Sequence, residues 1–178
     1  MHRRIRVLLA ALALPVALHA QTGPVKDPDM NIRMRGFRDR ILLDTLTVWQ
    51  PIPGPSVQTF RNTMSVLDSL RIPVLYADSI RGVIHHSGFV ARSRLAGKAV
   101  SSSLRCGMGI SGDYADTWRV SVAYAVFVKP EGDHSRLGVG LVAGAIDVEG
   151  VSMPAVQCGS TGVLEQTIHK AVGLKAIQ

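Results

Sequence analysis

Cysteine is scarce in this chain: none precedes Cys106, and Cys158 is the only other one. A lipid anchor on a cysteine close to the N-terminus is thereby excluded. Aromatic residues make up 5% of the sequence, and its most basic stretch lacks aromatics interleaved for stacking bases, which disfavours nucleic acid as a partner. Long apolar runs are missing beyond residue 20. The longest candidate, Val120 to Val128, falls far short of a bilayer span, so no transmembrane segment is expected in the processed chain. There is no internal repeat, and no pair of carboxylates stands at a spacing that assigns acid and base roles.

What is present starts with Arg3, Arg4 and Arg6 ahead of an apolar run from Val7 to Leu18, broken by Pro15 and followed by small Ala20. This reads as a secretory signal peptide over 1–20, and it predicts a periplasmic or secreted protein. Residues 21–40, with Gly23, Pro24, Pro28 and Gly36 among alternating charges, read as a flexible tail. A single folded domain is expected over 41–178. The formal net charge of +7 falls by the three leader arginines to +4. In an oxidising compartment the two cysteines are expected to form one disulfide, Cys106–Cys158.

The remaining charge is uneven. From Arg71 to Arg105 the bases Arg71, Arg81, Arg92, Arg94, Lys98 and Arg105 face Asp78 alone. Arg81, Arg92, Arg94, Lys98 and Arg105 are therefore read as a basic patch turned toward an anionic partner, whether an envelope protein, a lipid or a glycan. An ordinary solvated surface is the plainer reading of the same residues.

Periodicity defines the elements. In Trp118 to Lys129, bulky Val120, Val122, Tyr124, Val126 and Val128 alternate with smaller or polar residues, a half-buried strand expected to stop at Pro130. Leu137 to Ile146 returns beside it as an antiparallel hairpin, with Gly138, Gly140 and Gly144 on one face. A first strand is expected over Ile41 to Trp49, closed by Pro51 and Pro53. A helix capped by Ser56 follows, with Val57, Phe60, Met64, Leu67 and Leu70 as its apolar stripe, ending before Pro73. Two short strands are expected at Pro73 to Tyr76 and Ile80 to His86, with Gly82 marking a bulge. Leu95 to Arg105 supports at most a helical turn. A last helix starts at Ser160 or Thr161, buries Leu164, Ile168 and Val172, and has Gly173 as its terminator. The order predicts an α+β fold, an antiparallel sheet with both helices on one face.

This element order, from about Ile41 to Val172, resembles the helix-grip domains of the outer-membrane assembly lipoprotein BamC. The resemblance implies a sheet that grips the terminal helix and an envelope setting. The lipid-attachment cysteine of that family is missing here.

Candidate chemistry is sparse. Gly107, Gly109 and Gly112 match G-x-G-x-x-G, but a strand follows where a dinucleotide site needs a helix. Cys158-Gly159-Ser160-Thr161-Gly162 has the small-x-Ser-x-small form of a nucleophile elbow, with only Glu165 and His169 after it on one helix, so capping is the simpler role. His85 and His86 leave opposite faces of a strand, and His134 and His169 have no ligand-spaced partner. Asp113 and Asp116 lack the further oxygens of a calcium loop. No cofactor is expected. The leading expectation is a non-enzymatic binding or cell-envelope accessory domain; the alternatives are a small hydrolase using Ser160 or Cys158 and a carrier of a small apolar ligand.

Overall fold

The computed structural model describes residues 30–148 and 153–177. The leader over 1–20, residues 21–29 of the expected tail, residues 149–152 and residue 178 lie outside the described residues.

Seven strands build one antiparallel sheet: β1 (Val48–Pro53), β2 (Tyr76–Asp78), β3 (Val83–Ala91), β4 (Leu104–Arg105), β5 (Arg119–Glu131), β6 (His134–Ile146) and β7 (Val156–Ser160). Their spatial order is β2-β3-β5-β6-β7-β4, and β1 also pairs with β6. The helices are α1 (Ser56–Ser69), the single turn α2 (Tyr114–Thr117) and α3 (Val163–Ala176). The chain is therefore α+β, with α1 and α3 against the same face of the sheet.

The expected hairpin is the backbone of the fold. β5 and β6 pair without interruption from Arg119↔Ile146 to Glu131↔His134, and Gly132 at φ 60 takes the left-handed position of the tight reversal. Pro130 does not end the strand. It sits within β5 opposite Ser135, past the point where β3 is paired to that strand. The bulky face predicted for β5 packs with Leu137, Val139 and Leu141 of β6 and with Leu164, Ile168 and Val172 of α3 into the main core.

Between α1 and the sheet the packing is partly polar. Thr59, Asn62 and Thr63 are buried, whereas Val57 points to solvent, so the buried stripe is rotated from the expected one. Thr59 Oγ1 and Ser135 Oγ share a buried hydrogen bond of 2.7 Å, and Thr63 donates back to the Thr59 carbonyl at 2.8 Å. These bonds satisfy groups that would otherwise cost about 1–3 kcal/mol each to bury. Hydroxyls with partners at hand can thus occupy positions that hydropathy alone assigns to solvent.

The second face of the sheet is also covered. Residues 30–47 run across it as an arm: Asn31–Ile32 pairs with Ile41–Leu42, Leu43–Leu46 forms a 3-10 turn, and Ile32, Met34 and Leu43 bury against Ala123, Ala125 and Val142. Thus residues 30–40 of the expected flexible tail are packed, and the expected strand at Ile41–Trp49 is a short strand, a turn and the first two residues of β1. The glycines of β6 explain how closely the arm lies. A Cβ on Gly140 would stand 2.7 Å from the Leu43 carbonyl oxygen, and one on Gly144 2.0 Å from that of Arg35.

Three further departures have local causes. β1 continues through Pro51 and Pro53 because it has one open edge, and prolines two apart turn their missing N–H groups to the same side. The bulge in β3 falls at Ser87 and Gly88, between the pairs Val122↔Phe89 and Tyr124↔His86, where the Gly88 N–H donates to His86 Nδ1 at 3.0 Å. Gly82 instead lies in the preceding turn, which Asp78 organises by accepting from the N–H groups of Ile80 and Arg81. Finally, α3 runs through Gly173 to Ala176, since nothing in the packing forces a left-handed residue there.

Candidate functional site

One edge of β6 is shared by two strands. β1 pairs with it along His134–Val139, and β7 along Ala143–Ala145. Between them Gly140, Leu141 and Val142 face no strand, because β7 leaves the edge after Cys158 and pairs instead with β4, Gly159 opposite Arg105 and Ser160 opposite Leu104. The sheet is forked at this point.

Local sequence makes the fork. The disulfide Cys106–Cys158, as expected from the cysteine count, ties β7 to the residue after β4, with the two Cα atoms 4.1 Å apart. Thr161 adds two bonds to the same neighbour, its N–H donating to the Ser103 carbonyl at 3.0 Å and its hydroxyl to that of Ser102 at 2.8 Å. Gly162, at φ 80, then turns the chain into α3.

The fork opens a cleft of about 500 Å³. Phe37, Leu46, Val48 and Leu141 give it apolar walls, and Gln157, Ser160, Thr161 and Glu165 its polar lining. Glu165 is 4% exposed. Ser160 Oγ donates to Glu165 Oε1 at 2.5 Å and accepts the Gly162 N–H at 3.0 Å. Glu165 Oε2 has no hydrogen-bond partner among the described residues.

One turn further along α3, His169 is buried and donates from Nε2 to the Leu137 carbonyl at 3.0 Å. Burial holds its pKa below the ordinary histidine value, opposed by the Leu137 carbonyl and the nearby Glu165 charge. The unfolded chain therefore takes up a proton that the folded chain refuses. Stability is expected to be full above the unfolded value of 6.5 and to decline as pH falls below it. Chemical denaturation from about pH 8 to about pH 5 checks this, and His169→Gln, which keeps a donor for Leu137, should flatten the profile. An unchanged slope in that variant would assign the effect elsewhere, His86 being the other imidazole whose pKa burial lowers.

The remaining candidates separate. Cys158 is committed to its disulfide and has no free thiol. Ser160 gives its hydrogen bond to Glu165 and His169 gives its own to Leu137, so neither serves the other as nucleophile and base. Gly107 and Gly109 lie under the Tyr114 ring beside a two-residue hairpin, and the glycine motif leads into α2, a single turn. Asp113 caps that turn through Ala115 N–H, while Asp116 accepts from Ser101 N–H. His85 lies beside the Tyr76 ring at 5.1 Å and His86 beside Phe89 at 5.2 Å, on opposite faces.

The basic residues divide likewise. Arg92, Arg94 and Lys98 share the small hairpin after β3, in which Arg94 pairs with Ala99. Arg81 lies at the other end of β3, roughly 25 Å away at about 3.3 Å per residue, in an ion pair with Asp78 at 3.8 Å. Arg105 is on the far edge strand, four strand spacings or roughly 19 Å from β3. Among the described residues the densest run of basic residues is instead on the arm: Arg33, Arg35, Arg38 and Arg40, all exposed. Its signal in the sequence is the alternation of Arg33 and Arg35 with Ile32 and Met34.

Among the described residues no helix is long and apolar enough to cross a membrane. No protein-family model matches the chain, and no curated protein does, so neither comparison supports the resemblance to BamC domains. Among solved structures the chain matches the crystal structure of Ara h 8.0201 with a TM-score of 0.31 and 12% identity, over 74% of this chain and 95% of that one.

Proposed function

We propose that this chain is an exported, non-enzymatic binding domain that holds a small amphiphilic ligand in the fork between β1 and β7. The apolar part of the ligand lies against Phe37, Leu46, Val48 and Leu141, and a cationic or hydrogen-donating head reaches Glu165. One observation carries the reading: a carboxylate with one unpartnered oxygen is buried at an apolar-walled cleft. Leaving such an atom without a donor costs about 1–3 kcal/mol, which a ligand head would recover. Export is supported by the leader-like N-terminus and by the disulfide, a bond that persists in oxidising compartments.

Calorimetric titration with dodecylamine, dodecanol and dodecanoate tests the proposal. The amine should bind most tightly and the carboxylate least. Glu165→Gln should weaken the amine by about tenfold to a hundredfold, the range of a charge-assisted hydrogen bond. Val48→Trp, which fills the cleft from its exposed rim without touching the carboxylate, should weaken all three. Equal affinities for amine and carboxylate, unmoved by either substitution, would sink the reading.

A further inference from the structure

We propose that the arm over residues 33–46 is a docking face for the anionic surface of a lipid bilayer. Its inner side is fixed by burial of Ile32, Met34 and Leu43. Its outer side carries Arg33, Arg35, Arg38 and Arg40 against Asp39 and Asp44. Beside these guanidiniums stand the aliphatic side chains of Leu42 and Leu46, 48% and 42% exposed.

The face continues past the arm. The Trp49 ring lies over Gly138, on the side of the sheet that the arm covers. Lys129 Nζ stands 4.8 Å from its centroid and the Arg136 guanidinium 5.5 Å from it. An indole flanked by cations, next to a row of arginines and exposed aliphatics, matches the water–lipid boundary. There phosphates meet the charges, and the upper acyl region accepts the apolar groups. A soluble polyanion offers no counterpart for Leu42 and Leu46. The hairpin bearing Arg92, Arg94 and Lys98 has the charge without this apolar row. The inference shares Leu46 with the cleft but needs no ligand there, and it stands if the cleft binds nothing.

The test uses the exported protein beginning at Gln21, because the apolar run of residues 7–18 would itself partition into lipid. Co-sedimentation with phosphatidylglycerol vesicles should exceed that with phosphatidylcholine vesicles and weaken with added salt. A blue shift of tryptophan emission should accompany it. Each basic side chain near an anionic surface contributes about fivefold to binding. Replacing Arg33, Arg35, Arg38 and Arg40 by Gln should therefore lower it about a hundredfold or more, with disulfide and circular dichroism unchanged. Arg92→Gln, Arg94→Gln and Lys98→Gln together should change it far less. Leu42→Ser with Leu46→Ser should remove the part of the binding that survives salt.

Three results overturn the proposal: vesicle binding that the arm variant retains, binding to polyphosphate resin as tight as to vesicles and insensitive to the two serine substitutions, or a dimer in light scattering that the arm variant abolishes.

Discussion

Replacing Cys106 and Cys158 together by alanine should lower the free energy of unfolding by about 4 kcal/mol, the value the chain-entropy relation gives for a closed loop of some fifty residues. The separation of the two residues is 52. For a domain of this size that corresponds to a drop of about 10 °C in Tm. Calorimetry on the double variant is the measurement, and the double variant avoids the stray thiol that a single one would leave. The same substitutions bear on the cleft. With the disulfide gone, Gly159↔Arg105, Ser160↔Leu104 and the bonds of Thr161 are left to hold β7 away from β6. Ligand affinity should fall along with stability. A loss under about 1 kcal/mol would mean that the unfolded chain gains little freedom from the break, contrary to the loop-entropy account.

Gly140→Ala with Gly144→Ala should release the arm from the sheet. Both added Cβ atoms meet backbone carbonyl oxygens, at 2.7 and 2.0 Å, and a carbonyl held in an ordered chain cannot turn aside as a flexible side chain can. Overpacking alone costs about 1–3 kcal/mol per site, and lifting Leu43, Ile32 and Met34 into water adds about 1.5–3 kcal/mol for each side chain fully exposed, offset in part by regained chain entropy. A net loss of about 3 kcal/mol or more is expected. Limited trypsin digestion reads the event directly, since Arg33, Arg35, Arg38 and Arg40 become cleavable while the β5–β6 hairpin stays protected. Gly173→Ala is the opposite case. That glycine lies inside α3 with no atom within 4 Å of an added Cβ, so the substitution should stabilise by about 0.5–1 kcal/mol. Equal behaviour of the two variants would show that close approach is not what those β6 positions require.

How far these features can be read from residues alone follows from where their causes lie. The β5–β6 hairpin is visible because Val120, Val122, Tyr124, Val126 and Val128 repeat every second position over a length no short-range accident produces. The two long helices are marked by Pro73 and by the Leu164–Ile168–Val172 spacing, and the disulfide by there being one way to pair two cysteines. The arm is hidden because Ile32 and Met34 are a two-member alternation embedded among charges, too short to outweigh Pro28 and Gly36. Its counterpart was in view: small Gly138, Gly140 and Gly144 announce that something lies close, but the partner is encoded far upstream. β1 is obscured by Pro51 and Pro53, whose effect depends on the strand lying at an edge. Glu165 is the instructive case. An acid in the first turn of a helix reads as a dipole partner, and its burial arises only because β7 abandons β6 at Cys158 and brings the carboxylate to the cleft.

The placement of the arm also sets a timetable for the growing chain. Leu43 rests on Gly140, roughly a hundred positions later, and contacts so distant in sequence are slow to close. A polypeptide delivered N-terminus first therefore presents a loose ribbon of arginines and aliphatics until the hairpin behind it has paired, and that interval is when a chaperone or an anionic surface would compete for it. Pulse-labelled hydrogen exchange should find the amides around Ile32 and Leu43 among the last to become protected.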